Sequence, residues 1–186
     1  MISPSEPDDD ELVSRSLRGS EDALTNLYLR YRPRVIGYVW RMTNDRDLAE
    51  EIFCATFAAF FENLSRYRPG GRLVAYLLRI ARNRLFDEMK ARGRLANPLP
   101  TPSLDERSNS LFSPAPPVPD SLITSEEAER VCRAVAQLPE HLREVVVLRL
   151  YEDLDYASVA AIVGVGETTV RSRMRYALET LRRALQ

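Results

Sequence analysis

Arg171 and Arg175 stand four residues apart, about one turn of a helix, with Ser172 between them and Thr168 just ahead. Guanidinium groups can chelate guanine edges in a groove, and hydroxyls can reach bases or phosphates, so this set could read duplex DNA from one helical face. The surrounding segment 168–186 holds five arginines against one glutamate, in a chain whose formal net charge is −1. A second cationic segment, 66–94, carries nine Arg and Lys residues against two acids, Asp87 and Glu88. On a helix starting near Gly71, Arg72, Tyr76, Arg79, Asn83 and Lys90 project to one side, and Arg84 falls among the apolar positions, its charged head expected to snorkel to solvent. Cations interleaved with an aromatic ring and an amide suit unpaired nucleic acid, whose bases stack on rings while the cations hold phosphates. A third segment, 45–62, has the opposite sign, with five acids and one arginine on an apolar, phenylalanine-rich backing. That pattern suits docking to a protein.

Other chemistries lack their residues. One histidine, His141, and two distant cysteines, Cys54 and Cys132, leave no set for a zinc site, a disulfide framework or a histidine-based triad. No cofactor or metal is expected, and no enzymatic activity. No apolar run approaches the ~20 residues of a membrane span, and the acidic start is unlike a signal peptide, so a cytoplasmic protein is expected. Cys54 and Cys132 read as buried small apolar residues, His141 as a surface residue at a helix start, and Trp40 with Phe57, Phe60 and Phe61 as interior.

The elements that must position these groups are helices. Leu24, Leu27, Tyr28, Tyr31, Val35, Tyr38, Val39 and Met42 recur at steps of three and four, with Pro33 expected to kink or split that helix. A second stripe runs through Leu48, Ile52, Phe53, Phe57, Phe60, Phe61 and Leu64, and a third through Leu73, Leu77, Ile80, Ala81 and Leu85. The β-like run Val145–Leu148 lies between helical patterns and reads as buried helix. Near the C-terminus, Asp155 can cap a short helix over 156–163. Gly164-Val165-Gly166 then forms a tight turn, and a long helix opens at Glu167. Ala160 permits close approach, Gly164 permits positive φ and Val170 packs back: a helix-turn-helix.

Seven of the twelve prolines fall between Asn97 and Pro119, where proline's missing amide prevents a helix from continuing. The expected organisation is all-α: a helical domain over 8–94, a Pro-rich flexible linker over 95–121, and a helix-turn-helix domain over 122–186. An extended linker of some 27 residues at ~3.1 Å each would reach roughly 80 Å, against about 70 Å for two turns of DNA.

Two stretches in each half carry a family resemblance. Asp47-Leu48-Ala49-Glu50-Glu51-Ile52-Phe53 with Thr56-Phe57, and Ala75-Tyr76-Leu77-Leu78-Arg79-Ile80-Ala81-Arg82-Asn83 followed by Asp87, resemble the polymerase-binding and −10-element helices of bacterial sigma factors. Leu138-Pro139-Glu140-His141-Leu142-Arg143-Glu144-Val145 and Thr169-Val170-Arg171-Ser172-Arg173 are similar to stretches of the sigma −35 domain. The resemblance is to the extracytoplasmic-function (ECF) group of the sigma-70 family. It implies a subunit that binds core RNA polymerase, directs it to promoter DNA and helps open it, under an anti-sigma factor. Contacts to the −10 strand would come from Asn63, Ser65, Arg66, Tyr67, Arg68, Arg72, Tyr76, Arg79, Arg82, Asn83 and Lys90. The −35 element would be read by Thr168, Thr169, Arg171, Ser172, Arg173 and Arg175, and polymerase held by Asp47, Leu48, Glu50, Glu51, Ile52 and Phe53. The chain departs from the pattern at Cys54, Tyr76 and Thr168, where the family commonly has Gln, Trp and Gly. The alternative reading is a stand-alone helix-turn-helix repressor, which would leave the first domain unused.

Overall fold

A computed structural model of the protein describes residues 7–68, 70, 72–93 and 125–186; the linker expectation, and most of its flanks, lies outside them. The described residues are helical and contain no strand. Four helices, α1 (Asp9–Leu17), α2 (Glu21–Thr43), α3 (Arg46–Glu62) and α4 (Leu73–Ala91), form the first domain, with a 3₁₀ turn over Leu64–Arg66. The second contains α5 (Ser125–Ala136), α6 (Glu140–Val146), α7 (Tyr156–Val163) and α8 (Glu167–Leu185).

Caps set the starts. Asp8, Ser20 and Asp45 each accept a hydrogen bond from the backbone N–H three residues on, which satisfies one orphan donor in α1, α2 and α3. Asn44, in the left-handed region at φ 55°, ends α2 and donates its N–H to Trp40 O at 2.7 Å. Between Asn44 and the Asp45 cap the chain reverses in two residues, which forces α2 and α3 to lie antiparallel. Pro33 does not split α2: the helix runs unbroken from Glu21 to Thr43, because Tyr31, Val35, Tyr38 and Val39 around it are all buried and packing outweighs one missing donor.

The first core is the seam of α2, α3 and α4. Leu27, Val39, Phe53, Phe57, Phe60, Leu73, Leu77 and Leu85 are almost fully enclosed, each worth about 1.5–3 kcal/mol of burial. Tyr28 sits edge-on to Phe53 and Phe57, at 4.8 and 5.4 Å between ring centroids. In the second domain, Val145–Leu148 is buried helix as its sequence implies: α6 runs into a π-helical turn over Val147–Tyr151. Arg143 is buried there as a guanidinium donating from Nη2 to Ala136 O and, at 2.9 Å, Leu138 O, which ties the α5–α6 corner together.

Two expectations are corrected. Cys54 and Cys132 are exposed rather than interior, because Cys54 lies on the solvent edge of α3 and α5 turns Cys132 away from its neighbours. Phe61, expected in the interior with Phe57 and Phe60, is 37% exposed, because it lies on the same solvent edge of α3 as Cys54.

Candidate nucleic-acid interface

The helix-turn-helix forms as its residues require. Asp155 accepts from Ser158 N at 2.7 Å, and α7 ends at Gly164 with φ 76°, a conformation that costs a side-chain-bearing residue and not glycine. The N–H groups of Gly164 and Val165 both donate to Ala160 O, at 2.9 and 3.3 Å, closing the turn. Val170 is fully buried against α7, which fixes the roll of α8. That roll turns Thr168, Thr169, Arg171 and Arg175 to solvent, while Ser172 and Arg173 are half-buried beside them. Arg171 is already held in place: its guanidinium pairs with Glu167 one turn earlier and lies 4.2 Å from the centroid of the Tyr156 ring. The positive end of α8's dipole adds to this surface.

On α4, Arg72, Arg79, Asn83 and Lys90 are exposed along one side. Tyr76 is half-buried and stacks at 5.2 Å on Tyr67, with Arg79 at 5.7 Å over its own ring. Arg84 reaches solvent, as expected of a cation starting among apolar positions, and borders a shallow groove between α3 and α4 with Glu51, Asp87 and Glu88. Of the loop before α4, Ser65, Arg66 and Arg68 are exposed, and Asn63 donates its side-chain amide to Ala59 O at 2.9 Å. Tyr67 differs: it is buried under Tyr76 and against Phe60, and its hydroxyl, without a hydrogen-bond partner, is pushed up to about 12 by burial and by the charges of Asp10 and Asp9. Tyr67 therefore supports the ring of Tyr76 from below rather than presenting its own.

Arg82 also departs from the exposed set. Its Nε donates to Glu144 Oε1 at 2.6 Å, and its guanidinium stacks 4.4 Å from the centroid of Phe86. The six residues of the polymerase set divide likewise. Leu48, Ile52 and Phe53 lie in the interior at 1, 4 and 0% exposure, whereas Asp47 and Glu51 are on the surface and Glu50 is half-buried against Arg32. The solvent stripe of α3 is Asp47, Glu51, Cys54, Ala58 and Phe61, at helical spacing, an acidic start with an apolar continuation.

Sequence reasoning missed the groups that join the two domains. Glu144 and Glu152 are buried, and they accept hydrogen bonds from Arg82, Tyr38 and Arg34 of the first domain. Nothing in the local spacing of either glutamate could have announced this, because partners 62 to 118 residues away supply it. Among the described residues no group of three or more His, Cys, Asp or Glu is placed to hold a metal ion, and no helix is long and apolar enough to cross a membrane.

The family model Sigma-70 region 2 matches residues 27–95, and Sigma-70, region 4 matches residues 128–181. The chain is 29% identical over 184 residues to the RNA polymerase sigma-H factor of Pseudomonas aeruginosa, covering 96% of this chain and 94% of that one. It is 32% identical over 174 residues to the RNA polymerase sigma factor CarQ of Myxococcus xanthus, covering 93% and 95%. In fold it resembles the sigma factor RpoE in complex with the anti-sigma factor NepR from Bartonella quintana, with a TM-score of 0.66 and 22% identity over 87% of this chain and 95% of that one. CnrH in complex with the cytosolic domain of CnrY gives a TM-score of 0.66 at 20% identity, over 95% and 96%.

Proposed function

The chain belongs to the ECF group of sigma-70 RNA polymerase sigma factors, and from that premise we propose a division of labour among its surfaces. It is a non-catalytic initiation subunit; the polymerase forms the phosphodiester bonds. A sigma factor binds core RNA polymerase, directs it to promoters and assists their opening. The observation that carries this reading over a stand-alone repressor is the ordered pair of matches, region 2 in the first domain and region 4 in the second, each with its own cationic helix.

In the −35 domain, Thr168, Thr169, Arg171 and Arg175 reach the major groove, with Ser172 and Arg173 at its phosphate edge. In the −10 domain, Arg72, Arg79, Asn83 and Lys90, with Tyr76 as a stacking platform and Ser65, Arg66 and Arg68 ahead of it, hold the separated strand. Asn63 and Tyr67 shape that loop from beneath. Arg82 joins this face when it is released from Glu144. The exposed edge of α3, Asp47, Glu50 and Glu51, faces polymerase, and the buried Leu48, Ile52 and Phe53 keep that edge in register. The domains span 8–94 and 122–186, with residues 95–121 linking them. The protein works in the cytoplasm, where its polymerase is, and the anti-sigma partners in the names of its structural neighbours support an anti-sigma partner here too.

The test is dependence on polymerase. Core subunits copurify with the tagged chain, and tight, sequence-selective promoter binding appears only when they are added. Selective binding of a whole promoter by the purified chain alone would return the repressor reading.

A further inference from the structure

The start of α1 carries four consecutive acids, Asp8, Asp9, Asp10 and Glu11, and the first three have separate partners. Asp8 caps the helix by accepting from Glu11 N at 2.7 Å. Asp9 pairs with Arg30 Nη1 at 2.9 Å and accepts from the Tyr31 hydroxyl, which ties the start of α1 to α2. Arg30 also donates from Nη2 to Pro7 O at 2.9 Å. Leu12 and Val13 are fully buried, so a helix of nine residues, too short to stand alone, is firmly seated. Asp10 reaches elsewhere. Its Oδ1 accepts from the backbone N–H of Gly70 at 3.2 Å, 60 residues along the chain.

Gly70 belongs to the segment between the 3₁₀ turn Leu64–Arg66 and α4, with exposed Arg68 two residues before it and exposed Arg72 two residues after. Arg72 is the N-cap of α4 and makes no side-chain hydrogen bond to the helix start. An added Cβ at Gly70 would meet no heavy atom within 4 Å among the described residues beyond its chain neighbours, so packing does not fix this position. Helix α1 packs against the 3₁₀ turn, and the charges of Asp10 and Asp9 act on the buried Tyr67 hydroxyl. Glycine loses more conformational freedom on ordering than any other residue. A hydrogen bond from its N–H to an anchored carboxylate completes that ordering before a strand arrives. We propose that Asp10 is a positioning residue for single-strand capture, its carboxylate pinning the loop at Gly70 and so holding Arg68 and Arg72 ready on either side. This rests on the loop and α4 forming the strand-holding face. It runs against simple electrostatics, since an acid beside that face repels phosphates. The acceptor matters more than the charge it brings.

The full chain and a labelled 12-mer of oligo-dT, read by fluorescence anisotropy, supply the test. Asp8 and the buried Leu12 and Val13 keep α1 in place, so Asp10→Ala should leave the thermal midpoint nearly unchanged. It should move the Gly70 amide proton upfield in proton–nitrogen correlation spectra, as the hydrogen bond is lost. It should also weaken oligo-dT binding roughly three- to tenfold, the net effect of one hydrogen bond. Asp10→Asn keeps an acceptor oxygen and drops the opposing charge, so binding should return to the level of the unaltered chain or above. If Asp10 acted through charge alone, both variants would bind more tightly, most of all at low salt, and the proposal falls. An unmoved Gly70 amide in Asp10→Ala, or equal losses in the Ala and Asn variants, overturns it as well. Arg72→Ala/Arg79→Ala checks the face itself. Should that double variant bind oligo-dT as the unaltered chain does, the strand-holding reading fails and this proposal with it. A loss there with none in Asp10→Ala leaves the face standing and overturns the positioning role.

Discussion

The guanidinium of Arg171 lies 4.2 Å from the ring centroid of Tyr156, so the first residue of the helix before the turn orients an arginine in the first turns of the helix after it. Glu167, one turn earlier, pairs with the same guanidinium. Between a ring and a carboxylate the side chain loses much of its rotamer freedom before DNA arrives, which lowers the entropic cost of binding.

Tyr156→Leu should therefore weaken −35 recognition without removing any DNA contact. An exposed cation–π contact is worth about 0.5–1 kcal/mol, a few-fold in affinity. Titration of the holoenzyme against duplexes carrying the −35 element measures the loss. An equal loss in an Arg171→Ala background would show that Tyr156 does not act through Arg171.

The α3 edge separates surface from scaffold. Asp47→Lys with Glu51→Lys should slow association with core polymerase and weaken it more at low salt, with thermal unfolding little changed. Phe53→Ala should do the reverse, costing about 3–5 kcal/mol of stability through an interior cavity, measured by denaturant unfolding of the free chain. Polymerase affinity unaffected by the double reversal would remove this edge from the docking surface.

The contrast shows what spacing conveys. A period of three to four marks Leu48, Ile52 and Phe53 as one face of α3, and that face is its interior. Family resemblance attaches function to the whole motif and cannot divide it, so buried and exposed members came out together. The helix-turn-helix was legible almost residue by residue, because Asp155, Gly164 and Val170 act within one short segment. Arg82 and Tyr67 were not. Whether a basic or aromatic side chain faces solvent depends on what packs over it, and Glu144 and Tyr76 arrive from other elements or other turns. Pro33 is the same lesson for backbone: local preference argued for a kink or a split, and the burial of its neighbours kept α2 unsplit.

Tyr67 gives a prediction in pH. Its hydroxyl is buried without a partner, and burial pushes it from 10.0 up to about 12. The folded state thus resists ionisation that the unfolded state permits. This contribution to stability is fully present below pH 10 and is lost as the pH rises from there through 12. Tyr67→Phe removes the ionisable group, so unfolding midpoints of the variant should fall less steeply than those of the unaltered chain above pH 10. It also removes an unsatisfied polar group, worth about 1–3 kcal/mol at neutral pH. Parallel pH curves for the two proteins would show that the Tyr67 hydroxyl is solvated in solution.

The two surfaces proposed to read DNA should fail at different steps of initiation. Asn83 is exposed on α4 in line with Arg79, and its side-chain amide offers both a donor and an acceptor, as an unpaired base edge requires. Arg171 is exposed near the start of α8, on the side proposed to face the duplex. Arg171→Ala should cost about 1–3 kcal/mol in promoter affinity and relax preference at one upstream position; a phosphate-only role would weaken all sequences alike and reduce the salt slope. Asn83→Ala should leave upstream protection intact and reduce the permanganate reactivity of thymines near the start site, because melted strands are no longer held. On a template with a pre-opened bubble, Arg171→Ala keeps its upstream defect and gains nothing, while the melting step that Asn83→Ala impairs is bypassed and much of its activity returns. If Asn83→Ala melts promoters normally and Arg171→Ala blocks activity on the bubble template lacking upstream DNA, the roles assigned to α4 and α8 are reversed.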